Sequence, residues 1–120
     1  MAGEAHIKVA IANLQRAIKE KQHEISRLRV EMDRARKDVE GEVNILVGRV
    51  QQHNSVLGDP NRDDNEKARV AILLTQTKHR IDENRQRMTQ IHDGMLQQIQ
   101  ALEGQVQALT NEINMMQQLR

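Results

Sequence analysis

Asp59, Asn61, Asp63 and Asn65 place four oxygen-bearing side chains at alternating positions in one short stretch. Calcium takes oxygen ligands in such a pattern, but a helix–loop–helix calcium site also needs a glycine at its sixth place and a bidentate glutamate at its twelfth. Those places hold Asp64 and Val70. Capping and turn formation therefore explain the four residues better than a metal does. The histidines are His6, His23, His53, His79 and His92. No two of them stand four apart with an intervening glutamate, so the helical zinc-protease pattern is missing. His53 and His92 fall on or beside an apolar stripe, where a histidine is read as a tolerated seam residue. Serine occurs only at Ser26 and Ser55, and cysteine is absent. Neither serine lies in a strand–turn–helix elbow, and no glycine-rich phosphate loop is present. The expectation is a chain that is not an enzyme and holds no cofactor or metal.

The positive side chains raise a different chemistry. Arg27, Arg29, Arg34, Arg36 and Lys37 form one group, and Lys78, Arg80, Arg85 and Arg87 another. Glu24, Glu31, Asp33, Asp38, Asp82 and Glu83 are interleaved with them. At spacings of three and four these pair along one helix rather than present a phosphate-binding stripe. Net charge is +1, and the two halves are balanced, with 10 basic and 9 acidic residues in 1–60 and 8 of each in 61–120. The chain has no Phe, Tyr or Trp, so no ring other than histidine could stack on a base. Nucleic acid is therefore an unfavoured partner. No run approaches the roughly 18 apolar residues of a membrane span, and the first ten residues carry Glu4 and no apolar h-region. A soluble, cytoplasmic protein is expected.

The elements that must position these residues are helical. Ile7, Ile11, Leu14, Ile18, Ile25, Leu28, Met32, Ala35 and Val39 follow steps of three and four, with Lys21 at one apolar place. Val43, Leu46, Val50 and Leu57 continue the stripe. Val70, Leu74, Thr77, Ile81, Asn84, Met88, Ile91 and Met95 begin a second stripe, and Ile99, Leu102, Val106, Leu109, Ile113 and Met116 extend it. Such narrow, sustained stripes mean a coiled coil. Each contains one place with two successive steps of four, Ala35–Val39–Val43 and Ile91–Met95–Ile99, a stutter that locally unwinds the supercoil. Lys21, Thr77 and Asn84 are polar seam residues of the kind that fix register. The β-branched run 43–47 could be a strand, but Val43, Leu46, Val47 and Val50 fit the helical period better. Gly41 and Gly48 each cost about 1 kcal/mol against alanine in a helix, which suggests a bend or a close helix approach.

The one strong break is 58–63. Gly58 is placed as a left-handed residue ending the first helix, Pro60 cannot continue it, and Asp59, Asp63 and Asp64 are candidate caps of the next. The expected fold is all-α: a long antiparallel two-helix coiled-coil hairpin over 1–120, with helix one at about 4–57, a loop at 58–63 and helix two at about 64–119. Folding about Pro60 sets residues level when their numbers total about 120. Ile7 would meet Ile113, Ile25 would meet Met95, and Glu42 would lie level with Lys78.

The ends carry more apolar surface than one seam can bury. At the open end Ile7, Val9, Ile11 and Leu14 face Leu96, Ile99, Leu102, Val106, Leu109, Ile113, Met115 and Met116, and residues 94–119 hold only two charges, Glu103 and Glu112. Near the loop Ile45, Val47, Ile72 and Leu73 widen the stripe. These twelve open-end residues are the expected protein interface, in the simplest case a homodimer forming a four-helix bundle. The function expected is that of a non-catalytic structural or adaptor subunit binding other helices, by self-association or with a heterologous partner. The alternative is a small helical chaperone for an export substrate or assembly subunit.

Overall fold

The computed structural model describes residues 2–119. Helix α1 runs Ala2–Leu57 and α2 runs Asp64–Gln118, so helix one starts two residues earlier than the sequence suggests. Both helices are continuous across their stutters, and Val43–Val47 is helical. No strand occurs among the described residues.

The turn is built from its own side chains. Gly58 is not left-handed, since no glycine among the described residues has positive φ. Its N–H still donates to the Asn54 carbonyl at 3.0 Å, as in a continuing helix. What stops α1 is Pro60, which disfavours helical backbone at Asp59. Asp59–Arg62 then forms a β-turn, with the Arg62 N–H donating to the Asp59 carbonyl at 3.3 Å and proline at the second place, where its fixed φ fits. Asp63 caps α2: its carboxylate accepts the Asn65 N–H at 3.3 Å, and its carbonyl takes the Lys67 N–H at 3.0 Å.

The chain divides into two compact units, Met1–Met32 with Asp93–Arg120, and Asp33–His92. In the first, the open-end unit, Ile25, Leu28 and Ile99 form a buried cluster with Met32, Leu102 and Val106 packed on it. Ile11 and Ile113 are buried further along. Ile99, which ends the two four-residue steps of α2, is the most buried side chain of the core at 3% exposure. In the second, the loop-end unit, Val39, Leu46, Ile81 and Thr77 are buried. The Thr77 hydroxyl donates to the Leu73 carbonyl at 2.8 Å, so it enters the seam without an orphaned polar group.

The register differs from the one centred on Pro60. In the open-end unit Lys21 Nζ donates to Gln105 Oε1 at 2.8 Å and Arg29 Nη2 to Glu103 Oε1 at 2.9 Å. In the loop-end unit Arg87 Nη2 donates to Glu42 Oε2 at 3.3 Å. These numbers total 126, 132 and 129, not 120. Ile25 accordingly lies in the cluster of Ile99 and Leu102 rather than against Met95, and Glu42 pairs with Arg87 rather than Lys78. The totals exceed 120 by 6, 12 and 9. Away from the stutters a seven-residue shift returns a seam residue to a seam position, so the stripes alone do not fix the register. Gly41 and Gly48 mark no close approach, because a Cβ added at either meets nothing within 4 Å.

Candidate protein-interaction faces

The polar residues of the turn are engaged with each other. The Asp59 carboxylate accepts the Asn61 N–H at 2.9 Å and Arg62 Nε at 3.4 Å. Arg62 also reaches Glu66 Oε1 at 2.9 Å. The Asn61 N–H, then the Arg62 guanidinium and the Lys67 charge, hold the Asp59 carboxyl below its ordinary range. Oxygens committed to closing a turn are poorly arranged to converge on a cation. Among the described residues no three His, Asp or Glu side chains are grouped to hold a metal.

The charged groups pair mostly along single helices. Arg27 lies between Glu24 and Glu31, at 3.7 and 3.2 Å. Asp33 takes Arg36 at 2.8 Å and Lys37 at 3.2 Å, and Lys37 foremost holds its carboxyl below the ordinary range. His79 Nε2 is 2.8 Å from Glu83 Oε1. All these side chains are largely solvated, so each pair contributes little to stability. Arg34 and Arg85 have no ion-pair partner among the described residues. A groove of about 350 Å³ beside the α1 stutter is lined by Val39, Val43 and Met88 together with Arg36 and Arg85.

The twelve expected interface residues divide by position. Ile11, Ile99 and Ile113 are buried in the hairpin's own seam. Ile7, Leu14, Leu102, Val106, Leu109 and Met116 are half-buried. Val9, Leu96 and Met115 project to solvent, with Val9 at 61% and Met115 at 66% exposure. Leu119 joins them at 75%. Near the loop Ile45, Ile72 and Leu73 are exposed, whereas Val47 is half-buried. Exposed Val30 was not signalled by the stripes, because it stands alone among charged neighbours. A seam pattern locates what two helices share. It does not by itself separate residues consumed within the hairpin from those offered to a further helix.

The outward side of α2 changes character along its length. From 69 to 90 its exposed residues include Arg69, His79, Arg80, Glu83 and Arg87. From 94 to 118 they are mostly Gly, Ala, Gln and Asn. No helix among the described residues is long and apolar enough to cross a membrane. No protein family, characterised protein or solved structure was found to match this chain.

Proposed function

We propose that this chain is a non-catalytic coiled-coil subunit, structural or adaptor in role, that binds other helices through side chains left outside its own seam. The observation carrying this reading is the exposed apolar set at the two ends: Val9, Leu96, Met115 and Leu119 in one unit, and Ile45, Ile72 and Leu73 in the other. No large side chain among the described residues is fully buried, which is the packing of a two-helix layer awaiting another.

The test compares the wild-type chain with Val9→Lys/Leu96→Lys/Met115→Lys. Solution mass is measured by light scattering over a concentration series, co-purifying proteins are identified, and circular dichroism monitors helix content. Association that the wild type shows and the equally helical variant loses supports the reading. A wild-type chain that is fully helical, monomeric at every concentration and free of bound protein overturns it.

A further inference from the structure

Two arginines break the charge pattern of the loop-end unit. Glu42 and Arg87 pair across its seam at 3.3 Å. One heptad nearer the turn, the same two places hold Arg49 and Arg80. Their numbers total 129, as those of Glu42 and Arg87 do, so they stand level. Both line one groove with Glu42, Ile45, Leu46 and Asn84. Neither arginine has an ion-pair partner among the described residues, and Glu42, the one carboxylate lining the groove, is engaged with Arg87. Segments 43–57 and 67–81 contain five Lys and Arg and no Asp or Glu. Glu83, one turn beyond Arg80, is 2.8 Å from His79. Positions flanking a coiled-coil seam ordinarily carry opposite charges across it, whereas two guanidinium groups repel. Beside them lie apolar side chains. Ile45 is 63% exposed, one helical turn from Arg49. Leu73 is 47% exposed, two turns from Arg80 on the same line of α2.

We infer that this face of the loop-end unit binds an acidic amphipathic helix of another protein, whose Glu or Asp enters between Arg49 and Arg80 and whose apolar side chains cover Ile45 and Leu73. The inference rests on the helix-binding function proposed above and names the chemistry of the partner. Charge complementarity carries it. A carboxylate set between the two guanidinium groups replaces their repulsion with two charge-assisted hydrogen bonds. Ile45 on one side and Leu73 on the other then act as the anchors of helix-in-groove recognition. A second copy is a poor occupant, because a two-fold contact lays the patch on itself and brings four arginines together. A phosphate backbone would match the arginines but leave Ile45 and Leu73 exposed.

The probes are synthetic alanine-based helical peptides. Each carries one glutamate with a leucine four residues to one side and seven to the other, in both chain orders, and matched peptides carry Gln or Lys in its place. Binding is read by fluorescence anisotropy against the wild-type chain, Arg49→Glu/Arg80→Glu and Ile45→Ser, with helicity checked by circular dichroism. The wild type should bind one Glu peptide about tenfold more tightly than its Gln counterpart. Arg49→Glu/Arg80→Glu should reverse the preference and select the Lys peptide, a gain that a misfolded variant could not show. Ile45→Ser should weaken the Glu peptide severalfold, since Ile45 is exposed and its loss leaves the hairpin intact. Equal binding of Glu and Gln peptides would overturn the acidic partner while leaving the helix-binding function standing. Failure to bind any of the peptides would overturn the inference at this face, and the function is then decided separately by the Val9, Leu96 and Met115 variant. Phosphatidylserine vesicles or single-stranded RNA bound in preference to the Glu peptide, and released by Arg49→Glu/Arg80→Glu, would overturn it in favour of a phosphate-bearing partner.

Discussion

The open-end unit closes its seam with isoleucine, leucine and methionine around Ile25, Leu28 and Ile99, and adds two ties between its helices, Lys21–Gln105 and Arg29–Glu103. The loop-end unit accepts a buried threonine and a half-buried asparagine in its seam, and Glu42–Arg87 ties its helices together. Sequence separation explains the contrast. Glu42 and Arg87 are 45 residues apart, and Lys21 and Gln105 are 84 apart. Closing the longer loop costs more chain entropy. The open end therefore relies on apolar packing and, in our proposal, on a further layer of helix. The loop end is tied by Asp59–Arg62 and can spend seam positions on polar residues that discriminate between registers.

The sharpest way to break this contrast is to cut the core in each unit. Ile99→Ala should destabilise the chain by about 2–4 kcal/mol, and Ile81→Ala by less, because Ile81 is more exposed than Ile99 and stands one helical turn from the polar seam residue Thr77. Thermal and urea unfolding followed by circular dichroism would measure both. Equal losses would remove the difference between the units. Replacing the buried polar residue is the converse experiment. Thr77→Val should stabilise by about 0.5–1 kcal/mol, since the hydroxyl bonds only its own helix and no partner is orphaned. A loss of stability would show that the hydroxyl serves the seam itself.

A smaller effect concerns the turn. Gly58 has negative φ, and an added Cβ lies 3.4 Å from the Asn54 carbonyl oxygen. Gly58→Ala should therefore raise stability by about 0.4–1 kcal/mol through the unfolded state, whereas a left-handed glycine would make the same change destabilising. The smallest effect is that of pH. Asp33 and Asp59 have lowered folded pKa values, both in the loop-end unit. Their contribution is present above the unfolded value of about 3.9 and is lost as pH falls through the folded values. Asp33→Asn/Asp59→Asn should flatten the acid limb of the unfolding midpoint below about pH 3.9. An unchanged limb would mean that these carboxylates do not couple to folding.

Much of the fold was legible because coiled-coil seams are written in local spacing. The stripes from Ile7 to Leu57 and from Val70 to Met116 mark both helices, and Pro60 with its neighbouring aspartates marks the turn. The interface residues were legible only as a broad apolar end. Whether Ile113 or Met115 faces outward depends on which side of α2 meets α1, and the two lie two residues apart with opposite outcomes, 8% and 66% exposed.

The amino-acid sequence by itself determined the helical class, the hairpin break and the near-charge-free end of α2, since each follows from residue type and spacing along one segment. Tertiary structure alone decided the register, the negative φ at Gly58 and which apolar residues remain outside the seam. The physical reason is the period of the coiled coil. A slide of one heptad buries the same kinds of side chain, so the stripes are degenerate to it. Closure through Asp59–Arg62 and the cap at Asp63, together with specific ties such as Arg29–Glu103, select one alignment.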